Sequence, residues 1–247
     1  MVALIIVLAT LATAFISSIL GMVGGLILMG VLVLLLPVGQ AMVLHGVIQL
    51  TSNGYRAYLN RNDIQWRLFI GFTLGGVAAM ALLVWVSYTP DRAIVFLLLG
   101  ALPFIATSLP KQFALDITRP GLSIPAGFVV VVTNLLAGVG GPLLDIFFQR
   151  VPLTRHQVVA TKAVAQSFGH LSKIIFYGGL IGTSPGPLSL LGLCIIASVL
   201  GTTLGKKILD HMEDQNFFTW TLRVMLTVGA IFILRGLWMF WTQNTLS

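Results

Sequence analysis

Two rows of polar residues stand out in an otherwise apolar chain. One reads His45-x-x-x-Gln49-x-x-x-Asn53-x-x-Arg56 and the other Lys162-x-x-x-Gln166-x-x-x-His170-x-x-Lys173. Spacings of i, i+4, i+8 and i+11 put each row on one helix face, over about 16 Å of axis. All four pairs share one offset, 117, and the two glutamines match each other. A carboxamide offers donors and an acceptor, histidine titrates near physiological pH, and a cation draws in anions. Together they suit the holding of a small anion, with a proton available to move beside it. Interhelical hydrogen bonding with charged ends snorkelling outward is the competing explanation, and it fits Arg56, Lys162 and Lys173 taken singly. Gln49, Asn53, Gln166 and His170 lie nearer mid-span, where polar groups favour a lined cavity. His45 is placed near the outer end of its span.

Two glycine-rich breaks supply a second kind of chemistry. Residues 3–36 would form a helix of about 51 Å, far beyond the roughly 30 Å hydrocarbon core. The middle of that stretch reads Gly21-Met-Val-Gly24-Gly25. Residues 122–149 are also overlong and carry Gly138-Val-Gly140-Gly141-Pro142. Each stretch is expected to be two short helices hinged at a glycine tip. A half-helix starting after Gly25 or Gly141 turns free N–H groups and a positive dipole end toward the tip, where an anion binds. Close helix packing is the other use of such glycines, and it is the role expected of Gly71, Gly75, Gly201 and Gly205. Asp145, four residues past Gly141, is read as neutralising Arg150 or, alternatively, as a protonatable carboxylate.

Composition says what must hold these residues. Of 247 residues 57% are hydrophobic and 9% charged, and mean hydropathy is +1.00. A soluble domain carries about 25% charged residues, so the chain belongs in a bilayer. Further spans are expected at roughly 41–59, 68–88, 92–109, 157–177, 188–205 and 218–241. The first twenty residues have no basic leader region and read as a mature membrane segment. The net charge of +7 reports orientation and does not call for nucleic acid. The single Cys194 permits no internal disulfide, so the redox compartment stays open.

The breaks also announce a repeat. Gly24-Gly25 recurs as Gly140-Gly141, Pro37 as Pro152, Gly71-x-x-x-Gly75 as Gly201-x-x-x-Gly205, and Gly100-Ala101 as Gly229-Ala230. The expected fold is an all-α polytopic membrane protein of two inverted repeats, each a glycine-broken re-entrant hairpin plus three transmembrane helices. The first repeat covers 1–109, a linker 110–121 and the second repeat 122–247. Re-entrant hairpins put Arg56, Arg61, Arg67, Lys111, Arg119, Arg150, Arg155, Lys162, Lys206, Lys207 and Arg223 at or near one face, leaving Arg92, Lys173 and Arg235 for the other. Eight single crossings split the same cations seven against seven. Basic residues gather on the cytoplasmic side, so the inverted arrangement is preferred, with both termini extracytoplasmic in the cell membrane.

Two patterns are set aside. Gly182-Thr-Ser184-Pro-Gly186 matches a nucleophile-elbow spacing but lies in a short loop with no strand before it, so no enzyme activity is expected. The four histidines, His45, His156, His170 and His211, show no paired metal spacing, and neither a metal nor a cofactor is expected.

The paired Gly-Gly tips, Pro37 and Pro152 after them, and Ala160-Thr161-Lys162 resemble the TauE/SafE-type permeases, the sulfite exporter or toluene-sulfonate uptake family. The segments His45-Gly46-x-x-Gln49-x-x-Ser52-Asn53 and Gly140-Gly141-Pro142-Leu-Leu-Asp145 resemble one subgroup of it. The first tip departs from the commoner family pattern, having Leu26 in place of a third glycine. The resemblance implies a multi-pass permease moving sulfite, organosulfonates or related small anions. Read with the residues, it predicts a secondary transporter whose substrate-binding set is Gly24, Gly25, His45, Gln49, Asn53, Gly140, Gly141, Lys162, Gln166 and His170. His170 and Asp145 are the candidates for carrying a proton. The expected partners are the small anion, the bilayer and a second copy of the chain. A passive channel, a carrier of another solute, and a non-transporting membrane scaffold are the alternatives.

Overall fold

The computed structural model describes every residue except 21, 109–114, 150, 185, 210–213 and 246–247. Lys111, Arg150 and His211 therefore lie outside the described residues, as do the side chains of Lys206 and Lys207. Ten α-helices and no strand are present among the described residues: α1 (Val2–Leu20), α2 (Val23–Leu35), α3 (Val38–Leu59), α4 (Trp66–Val86), α5 (Arg92–Ser108), α6 (Ser123–Ala137), α7 (Gly141–Phe148), α8 (Arg155–Ile174), α9 (Leu188–Leu209) and α10 (Asp214–Thr245). Helix α8 runs on into a π-helical turn, Ile175–Leu180.

Both overlong stretches break where the glycines stand. In the first, Gly24 lies against the Thr13 carbonyl and Ser17 of α1, so α2 folds back on α1 as a hairpin. In the second, Gly140 packs on the Val130 carbonyl of α6, and Gly138 caps α6 in the left-handed region at φ 81°, a conformation glycine adopts without penalty. The hairpins differ in their arms. Helices α6 and α7 have 15 and 8 residues, as short half-helices should. Helix α1 has 19, enough to cross a bilayer by itself, so the expectation of two short arms fails there; α2 has only 13.

Four apolar helices are long enough to cross a membrane by length and composition, at 2–19, 66–86, 188–205 and 220–242. Helices α3 and α8 are long as well, with 22 and 20 residues, but the polar rows lower their hydropathy. Both are wrapped by the others. Gly46 of α3 faces Ile174 and the His170 carbonyl, whereas Gly54 faces Ser167, so α3 and α8 run antiparallel. Helices α5 and α10 are antiparallel too: Gly100 sits on the Gly229 carbonyl, Gly229 on the Gly100 carbonyl, and Gly236 against Leu97. Helix α1 runs parallel to α9, with Thr10 beside Cys194 and Ser18 bonded to the Thr202 carbonyl at 2.9 Å. Helix α4 likewise runs parallel to α6, Gly71 meeting Ser123 and Gly76 meeting Val131. The small residues Gly75 and Gly201 let the partner backbones approach at Ile124 and Leu11, which is how glycines bring membrane helices together.

Candidate functional site

The antiparallel α3/α8 pair turns its two polar rows toward each other and toward both hairpin tips. A Cβ on Gly25 would collide with Gln49 Nε2, and one on Gly141 would lie 3.2 Å from Gln166 Nε2. Each glycine thus lets one glutamine amide lie against the first turn of a half-helix. The tips also meet each other, Met22 packing on Gly141 and Met29 on Gly138. Neither Met22 nor Gly140, the residues that start α2 and α7, caps its helix with a side chain. The first N–H groups of a helix have no acceptor within it, and in α7 Pro142 contributes none.

In front of the tips opens a cavity of about 1270 Å³. Gly25, Gly140, Gly141, Gln49 and Gln166 line its deep end, together with His45 and His170. Asn53 lines it too, though its Nδ2 donates 3.0 Å back to the Gln49 carbonyl. Toward the mouth stand Arg56, Arg155, Lys162 and Asp145. Three cations against one carboxylate give the entrance a positive field, which concentrates anions. Ser52 and Thr202, 3.3 Å apart, add hydroxyls on one wall, and Val130, Val139 and Val159 make an apolar stretch elsewhere.

The structure bears on the sequence expectations at four places. Gly24 is turned to α1 and does not line the cavity. Asp145 pairs with Lys162, a partner on the next helix; Arg150, its expected partner, lies outside the described residues. His45 and His170 are neighbours, ring centroids 5.6 Å apart, because the antiparallel register folds the outer end of one row onto the inner part of the other. Lys173 is no snorkelling residue. It is 0% exposed, and its Nζ donates to the Gly138 carbonyl at 2.6 Å and lies 2.8 Å from His45 Nδ1.

Two residues were missed altogether. Asn134 donates to the Gly169 carbonyl at 2.6 Å and Tyr177 to the Leu135 carbonyl at 2.7 Å, both holding the end of α6 against α8. Asn134 stood in the sequence as a polar residue four before Gly138, a usable signal; Tyr177 gave none. In the elbow-like loop Ser184 Oγ accepts from the Gly186 N–H at 3.3 Å, and Pro185 lies outside the described residues. No group of three or more His, Cys, Asp or Glu able to hold a metal occurs among the described residues.

Long apolar helices around a cavity lined in part by polar side chains mark an integral membrane protein. The chain belongs to the sulfite exporter TauE/SafE family, whose model matches residues 5–233, and it is a membrane transporter of the permease kind. No curated protein and no solved structure matches it.

Proposed function

We propose that the protein is a secondary transporter for a small anion, sulfite or an organosulfonate being the first candidates. The observation that carries this reading is the course of the cavity: a basic mouth leads to two uncapped helix starts, each faced by one glutamine. Glutamine amides and backbone N–H groups hold an anion without a fixed charge that would trap it. Gly25, Gly140, Gly141, Gln49 and Gln166 form the binding set, with His45, Asn53, Lys162 and His170 around it. His170 is the better proton carrier, since its Nδ1 is buried without a hydrogen-bond partner while Asp145 is engaged by Lys162.

The transport cycle rests on two inverted repeats, 1–109 and 122–247, which rock around this site. Helix directions support that arrangement. Two stretches that each crossed once would leave α3 parallel to α8 and α5 parallel to α10, whereas both pairs are antiparallel. The partners also exchange under a swap of halves, α1 with α9 answering α6 with α4. With the basic residues cytoplasmic, the cavity opens inward, both termini are extracytoplasmic, and the host is the cell membrane.

Proteoliposome flux tests the reading. Saturable uptake of sulfite, competed by organosulfonates more strongly than by chloride, is the expected result. Flux of carboxylates alone would reassign the substrate, and no solute flux at all would leave a membrane scaffold as the better description.

A further inference from the structure

Lys173 lies behind the cavity, outside its lining, and is wholly buried. Among the described residues its ammonium meets no carboxylate. Its two partners are the Gly138 carbonyl at the end of α6 and His45 Nδ1. A cation at a helix C-terminus is favourably placed, because it meets the negative end of the dipole. His45 Nε2 in turn lies 2.9 Å from the Gly25 carbonyl. The donors order themselves. Lys173 gives one N–H to Gly138 and one to His45 Nδ1, which leaves His45 with its hydrogen on Nε2, directed at Gly25. One chain of three hydrogen bonds thus runs from the second hairpin, through α8 and α3, to the first.

We propose that Lys173 and His45 form a tie that latches the two hairpin tips together and closes the path beyond the cavity floor. This deepens the transport reading, on which it rests, and makes Lys173 a positioning residue that never touches the anion. Beyond the tie, away from the mouth, the chain is dry: Met42, Val43 and Leu44 are buried, and Val43 packs beneath Gly178 of the π-helical turn. Opening that side requires the tips to separate, and the Lys173–His45 bond, the middle one of the three, joins the two repeats that would then part.

The test is access. In a Cys194→Ala background, which removes the single cysteine, Val43→Cys is exposed to a membrane-impermeant maleimide on either side of sealed vesicles. Labelling should be slow with the tie intact. Lys173→Met or His45→Leu should raise it at least fivefold, while His45→Gln, whose amide offers an acceptor and a donor, should keep it near the parent rate. Unchanged labelling in both Lys173→Met and His45→Leu would overturn the tie as a gate, and so would His45→Gln labelling as fast as His45→Leu. Should Lys173→Met not fold, the two His45 variants decide between these outcomes. Sulfite flux is measured on the same proteins, with turnover expected to fall tenfold or more in Lys173→Met at nearly unchanged KM. If no variant and no parent carries any anion, the transport reading fails while the labelling result still judges the latch.

Discussion

The two ends of the α3/α8 pair each carry a lysine, and the two lysines behave as opposites. At one end Lys173 is sealed from solvent and held by a backbone carbonyl and a histidine. At the other, Lys162 keeps 24% of its side chain exposed and pairs with Asp145, itself 34% exposed, beside Arg56. A buried ammonium must have every donor placed, so it fixes geometry. A half-exposed one shares its field with water and so mainly steers what enters. Between the two ends lie the glutamines, where neither burial nor free solvent prevails. The largest effect of substitution should fall in that middle zone. Gln49→Leu or Gln166→Leu should lower sulfite flux at least a hundredfold while the thermal midpoint moves by only a few degrees. Flux at the parental level in either variant would return these amides to a structural role.

Next in size come the tip glycines, which separate the two hairpins. A Cβ at Gly25 meets the mobile end of Gln49, whereas at Gly141 it meets Met22 and then Gln166. Gly25→Ala should therefore displace the glutamine and cost flux about tenfold. Gly141→Ala strains the tip-to-tip contact as well, and overpacking of that kind destabilises by about 1–3 kcal/mol. Denaturation in detergent should show the difference. Equal stability losses would mean that the two tips are packed alike.

How much of this was legible depended on whether the signal was a likeness or a contact. The shared offset of 117 finds residues that resemble each other, such as Gln49 and Gln166. Antiparallel packing brings together residues that do not, His45 with Lys173 and Arg56 with Lys162's end of α8. Nothing in a translational offset encodes that. The glycine breaks were readable because they interrupt helices too long for a bilayer. Lys173 escaped the sequence for a physical reason: at the end of a polar row a lysine normally reaches for water, whereas here the Gly138 carbonyl of the second hairpin and His45 hold its ammonium inside. The pairing of Asp145 with Lys162 was likewise invisible, since it joins two helices through a turn.

A smaller effect is expected where the closed end meets the cavity. His170 lies 5.6 Å from His45 but has an unpartnered Nδ1, so it can take a proton without breaking the tie. Each proton carried with an anion removes one charge from the crossing, worth about 2.3 kcal/mol per 100 mV. Flux should rise as pH falls, since the protonated imidazole is the form that accompanies the anion. His170→Gln should flatten this dependence and lower flux a few-fold. If the profile survives there but is lost in Asp145→Asn, the carboxylate is the carrier.

The least effect belongs to the open end, and its character matters more than its size. Lys162 and Asp145 form a partly exposed pair, and such pairs contribute about 0–1 kcal/mol to stability. Lys162→Gln should thus leave the melting midpoint nearly unchanged. What it removes is one of three cations at the mouth, so KM for sulfite should rise two- to threefold at low ionic strength with turnover preserved. The Debye length shortens from about 30 Å at 0.01 M salt to about 8 Å at 0.15 M, and the difference between variant and parent should shrink over that range. Asp145→Asn tests the same field with the opposite sign: it leaves the mouth more positive, so KM should fall slightly, again most visibly at low salt. A salt-independent loss of turnover in Lys162→Gln would show instead that this lysine contacts the anion inside the cavity, and the division into a steering end and a latched end would have to move inward by one helical turn.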